Sequence, residues 1–220
     1  MPIPGFLSPK AVPLVQASVA VASLGGAPAP AQGRIPITVE RQQQDNWCWL
    51  AVGVAVERFY DATRTRTQCQ LAGIALGRSD CCTDGADDPA KCDQPWYLDR
   101  VLTITGNLES MRPGTLGFPE IQARVADGSP VGCRIGWYGG GGHFAVIKGW
   151  LVGPGGRRYI DVSDPIFLES QVAFDDFPIA YQSGGDWTHT YLTVPAAALG
   201  GAVLAAADTD FTPDPDTLGA

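Results

Sequence analysis

The spacing of apolar residues divides the chain into two halves with different periods. Up to about residue 126 the apolar residues come in helix-length blocks; from residue 131 they come in short alternating or continuous runs bounded by glycine. Trp47 to Tyr60 (WCWLAVGVAVERFY) is apolar on every side in its early turns, which predicts a buried central helix with Asn46 or Asp45 as cap. Thr67 can cap a second helix that runs through Gln70 and Leu71 to Leu76 and stops at Gly77. Trp96–Ile104 predicts a third helix ended by Gly106. Pro119–Ala126 predicts a fourth, with proline acceptable in its first turn.

Strands are expected at Val131–Tyr138, His143–Val152, Arg157–Val162, Leu168–Phe174 and Trp187–Val194, with glycine-rich turns at 139–142, 153–156 and 183–185. An earlier short strand is expected at Arg34–Glu40, where apolar and polar residues alternate. Helices first and strands second predict an α+β fold, an antiparallel sheet packed against the early helix. No internal repeat is visible.

The ends read differently from this body. Residues 1–33 are rich in alanine, proline and glycine, and are expected to be a disordered leader; Lys10 followed by Ala11–Leu24 gives the segment a weak signal-peptide character. A single domain is expected over 34–195, followed by a flexible acidic tail over 196–220. The net charge of −8 and the lack of a basic cluster argue against nucleic acid as a partner. No apolar run approaches the roughly 20 residues that span a bilayer, so no membrane association is expected.

Six cysteines sharpen the picture. Cys69, Cys81, Cys82 and Cys92 crowd together, whereas Cys48 and Cys133 stand apart. Two disulfides are expected among the four, with Cys81 and Cys82 each bonded to Cys69 or Cys92, since neighbours do not easily bond each other. Zinc is the competing reading, but adjacent cysteines without a two-residue spacer fit tetrahedral ligation poorly. Disulfides would point to an oxidising, extracytoplasmic destination. Cys133, in the strand-like run VGCRI, is expected to be a free core thiol.

Cys48 opens the apolar helix, where the positive end of the helix stabilises a thiolate. Tryptophans flank it on both sides. Only two histidines exist. His143 follows four glycines and starts a valine-rich strand, a position from which an imidazole can face a cleft. His189 alternates with polar residues in WTHTY and reads as an exposed strand position. A carboxylate should hold the imidazole in its productive tautomer, and Asp164 is the first candidate with Asp161 as rival. Gln42, Gln43 and Gln44 compete to donate a hydrogen bond to a developing oxyanion, with the backbone N–H of Cys48 as second donor. These roles point to a cysteine hydrolase acting on acyl bonds.

Gln42, Cys48 and Trp49 resemble the glutamine-to-cysteine-tryptophan signature of papain-like cysteine peptidases. HFAVIKGW from His143 to Trp150 resembles their histidine strand, and Asp164-Pro165 the orienting residue of a bacterial branch, the AvrRpt2 and C39-like type. The resemblance covers about 35–192. It implies a papain-like fold, an N-terminal helical subdomain whose central helix carries the nucleophile, packed on a C-terminal antiparallel sheet or barrel. It implies Cys48 as nucleophile, His143 as base, Asp164 as orienter and Gln42 as oxyanion donor, the offset of six residues selecting Gln42 over its neighbours. The sequence departs from the family's Cys-Gly-Ser-Cys-Trp run, with Asp45-Asn46-Trp47 in its place. No cofactor or metal is implied; the expected partner is a protein or peptide substrate, and the expected state a monomer. Two other readings stand beside the peptidase: deamidation, transglutamination or cell-wall amide cleavage by the same pair, and a non-catalytic binding module.

Overall fold

The computed structural model describes residues 31–196. The expected leader, apart from residues 31–33, and the acidic tail beyond Ala196 lie outside the described residues.

The helical half forms much as its apolar spacing predicts. α1 (Cys48–Tyr60) buries ten consecutive residues from Cys48 to Glu57. α2 (Gln68–Leu76) begins with a reciprocal capping box between Thr67 and Gln70 and ends at Gly77, whose positive φ closes the helix. α3 (Leu98–Thr105) stops at Gly106 in the same way, and α4 (Phe118–Ala126) carries proline in its first turn. α1 and α3 cross closely at Gly53, where an added Cβ would lie 2.5 Å from the Val101 side chain. The start of α1 differs from expectation. Trp47, not Asn46 or Asp45, occupies the cap position and no side chain caps the helix. The reason is that Asn46 is committed elsewhere: its side chain and backbone N–H both bond Asp93.

Among the described residues the strands form one seven-stranded sheet, antiparallel throughout. Its strands are β1 (Gln32–Arg34), β2 (Leu108–Pro113), β3 (Val131–Trp137), β4 (Gly142–Val152), β5 (Arg158–Asp164), β6 (Leu168–Ala173) and β7 (Gly185–Thr193). The order is β2-β7-β3-β4-β5-β6, with β1 paired to the far end of β4. The molecule is therefore α+β, as expected, with α1 lying against β4.

Two strands correct the sequence reading. The expected strand 34–40 pairs only at its start: β1 covers 32–34, Ile35 N–H adds one bond to Lys148 O of β4 at 2.9 Å, and residues 36–40 lie outside any strand. Ile35, Ile37 and Val39 still point into the core, so the alternation was real. Pro36 has no N–H to give a ladder, and side chains fasten the segment instead: Val39 N–H donates to Ser163 Oγ at 2.8 Å, and the Lys148 ammonium donates to Ile37 O. β2 was not anticipated, so helices and strands interleave more than the sequence suggested. It is an edge strand, mostly exposed and paired with β7 alone, and its residues show no buried alternation to read.

Candidate active site

Sheet register explains why a histidine and an aspartate 21 residues apart meet. His143, Ala145 and Ile147 share one face of β4. Ile147 pairs with Val162 of β5, and Asp164 lies two residues further along the same face. The turn at Gly140 and Gly141, both at positive φ, brings β4 back along β3 so that His143 pairs with Ile135. The result is a fully buried ion pair. His143 Nε2 lies 2.9 Å from both carboxylate oxygens of Asp164. Four donors converge on that carboxylate: the imidazole, the backbone N–H groups of Ile166 and Phe167 on Oδ1, and the Tyr181 hydroxyl on Oδ2 at 2.9 Å. Asp161, the rival candidate, is elsewhere: it accepts from Gln171 Nε2 at 2.9 Å and faces Arg34.

Burial alone would strip the imidazole of its proton. The Asp164 carboxylate outweighs it, and the bond from Cys48 adds to the effect, so the His143 pKa is pushed up to about 10. The same pairing holds the Asp164 carboxyl below its usual value despite a burial penalty in the opposite direction. With Nε2 occupied by Asp164, Nδ1 is the nitrogen left for the sulfur of Cys48.

Cys48 sits at the first position of α1, where the backbone N–H has no acceptor in its own helix. It keeps 8% of its surface exposed. Cys48 and His143 line one cleft of about 220 Å³, together with Trp49, Trp96, Trp137 and Arg134. The segment around Cys48 is moored to the disulfide segment by four bonds. Asn46 N–H donates to Asp93 Oδ1, Asn46 Nδ2 to Asp93 O, Trp47 Nε1 to Cys92 O at 2.8 Å, and Trp49 Nε1 to Gln94 O at 3.1 Å. Disulfides Cys69–Cys82 and Cys81–Cys92 close that segment, and Cys48 and Cys133 are the free cysteines, in line with the sequence reading. Asp80, Cys81 and Cys92 cluster closely enough to suggest a metal site, but the two sulfurs are bonded to each other and offer no thiolate.

Gln42 lies on the loop that leads to Cys48, and its backbone N–H reaches Pro165 O beside Asp164 at 3.1 Å. Its side-chain Nε2 faces two loop carbonyls, Gln44 O at 2.9 Å and Asp45 O at 2.6 Å, while its Oε1 is buried without a partner. Gln42 therefore braces the loop here, and it is not one of the residues that line the cleft. His189 is half-buried rather than exposed, with Nδ1 3.1 Å from Thr188 Oγ1; burial and the nearby Arg134 charge lower its pKa.

Sequence reading missed the aromatic surround. Trp137 lies nearly parallel to the imidazole, with centroids 5.8 Å apart, and Phe167 meets it edge-on at 5.9 Å. These rings keep water from the His143–Asp164 pair, which strengthens it. Trp137 carried a signal, since it lies two residues beyond Ile135 on the face that His143 joins. Tyr181, 17 residues past Asp164 in a loop, carried none.

No family model matches the chain, and no curated protein matches it. Among solved structures it is similar to the bromelain protease of Ananas comosus in complex with the E64 inhibitor. The TM-score is 0.48 at 10% identity, covering 76% of this chain and 100% of that one.

Proposed function

We propose that the protein is a papain-like cysteine peptidase. The observation that carries this reading is the cleft itself: a thiol at a helix N-terminus and an imidazole held charged by a buried carboxylate line the same 220 Å³ hollow. In this reading Cys48 and His143 form a thiolate–imidazolium pair. The thiolate attacks a peptide carbonyl, His143 gives its proton to the leaving amine, and the imidazole then takes a proton from the water that hydrolyses the thioester. Asp164 keeps the imidazole in place through Nε2 and stabilises its charge. The Cys48 N–H is one oxyanion donor. Gln42 is the second, releasing one of its two loop carbonyls when the oxyanion forms.

The substrate class is a protein or peptide, and the protein acts as a monomer. Disulfides at Cys69–Cys82 and Cys81–Cys92 favour an extracytoplasmic site of action. No described helix is long and apolar enough to cross a membrane.

Incubation with a peptide library, products read by mass, tests the reaction. New peptide termini that vanish with Cys48→Ala are the expected result. A gain of about one dalton without cleavage would replace peptidase by deamidase, and turnover that survives Cys48→Ala would end the assignment of the nucleophile.

A further inference from the structure

We propose that Tyr181 is a positioning residue of the site: its hydroxyl, donated to Asp164 Oδ2, sets the plane of the carboxylate so that both oxygens face His143 Nε2. The proposal rests on the reading of Cys48 and His143 given above. Three observations carry it. Tyr181 is only 2% exposed, although it lies in the loop between β6 and β7 rather than in the sheet. Its hydroxyl reaches Oδ2 at 2.9 Å, whereas Oδ1 is held by the N–H groups of Ile166 and Phe167 at 2.7 and 2.9 Å. One oxygen is thus fixed by the turn that follows β5, and the other accepts from Tyr181 and the imidazole. Last, the Tyr181 ring runs nearly parallel to Trp137, at 19° and 6.5 Å between centroids, and Trp137 runs nearly parallel to the imidazole. The same side chain therefore supports the carboxylate and the plate that covers His143.

The chemistry fixes the direction of this bond. An ionised carboxylate can only accept, so the phenol donates. Burial and the Asp164 charge both raise the Tyr181 pKa, which keeps the proton on the phenol across the working range. Without that donor the carboxylate is free to turn about its side-chain bond, held only through Oδ1. Nε2 then loses one of its two short contacts and the imidazolium loses part of its support.

Tyr181→Phe removes the hydroxyl and keeps the ring. Two readouts follow, both in the full chain. The first is the rate at which iodoacetamide modifies Cys48 near neutral pH, expected to fall roughly ten-fold, the size of one hydrogen bond to a charged group. The second is the pH at which the His143 ring protons titrate by NMR, expected to move down from its position in the wild type. A lower melting temperature with both readouts unchanged, or a titration that moves up, overturns the proposal. Should Tyr181→Phe not fold, the wild-type protein supplies the test: the Tyr181 hydroxyl proton should be protected from exchange and shift in step with the His143 titration. A hydroxyl signal indifferent to that titration overturns it. Failure of the underlying reading looks different, because wild-type Cys48 would then react at the same rate with or without His143.

Discussion

The two halves of the candidate site are held in different ways. Cys48 begins a buried helix, but the loop that leads into it is moored through Asn46, Trp47 and Trp49 to residues 92–94, the end of a segment closed by Cys81–Cys92. His143 owes its place to sheet register, a buried carboxylate and aromatic rings, with no covalent clamp. The thiol side depends on a crosslink in a loop-rich region. The imidazole side depends on electrostatics inside a dry sheet. Different perturbations should therefore strike each half.

The largest effect is expected on the imidazole side. Asp164→Asn removes the main charge that keeps His143 protonated, leaving only the smaller effect of Cys48 to oppose burial. Turnover of a cleaved peptide should drop about 100- to 10,000-fold. The pH dependence of stability should change with it. A histidine raised from 6.5 to about 10 adds stability that is complete below about 6.5 and is lost as pH rises through about 10. Denaturant titrations across that window should show the loss in the wild type and not in Asp164→Asn. An unaltered slope in the variant would mean that Asp164 is not what holds the proton.

Next in size is the thiol side. Replacing Cys81 and Cys92 together with serine opens a loop of 11 residues and should cost roughly 3 kcal/mol in thermal or denaturant unfolding. It should also slow modification of Cys48, since residues 92–94 carry the acceptors for its neighbours. The Cys69/Cys82 pair offers the control, because none of those acceptors belongs to Cys69 or Cys82. Equal losses of reactivity from the two double variants would show that the mooring at 92–94 has no special part.

Gln42→Ala sharpens the boundary between the halves. As an oxyanion donor the side chain contributes about 3 kcal/mol to the transition state, so kcat should fall roughly 100-fold with KM little changed. As a loop brace alone it would lower the melting temperature and leave kcat near wild type.

Much of this was legible in the sequence, for identifiable reasons. α1 announced itself because ten successive buried residues leave no polar face to confuse the period. Thr67, Gly77 and Gly106 marked helix ends through capping chemistry that acts locally. Alternation along β5 marked Asp164 and Asp161 alike as candidates; the register with β4, which the sequence does not carry, puts Asp164 on the His143 face. What escaped depended on contacts that residue spacing and hydrophobicity do not encode. Asn46 could not be recognised as a tether to Asp93, 47 residues on, so it was read as a cap. The carbonyls of Gln44 and Asp45 took the Gln42 amide, which local pattern gives no means of seeing. Leu108–Pro113 is an edge strand whose pairing with β7 leaves no mark in hydrophobicity.

Iodoacetamide labelling of the native protein near neutral pH, with the modified residue mapped by mass, tests the pairing of Cys48 with His143 most directly. The account predicts modification at Cys48, no modification at the buried Cys133, and a rate about ten-fold or more lower in His143→Ala. Labelling at Cys48 that is equally fast in the wild type and in His143→Ala, or no labelling at Cys48 at all, would contradict it.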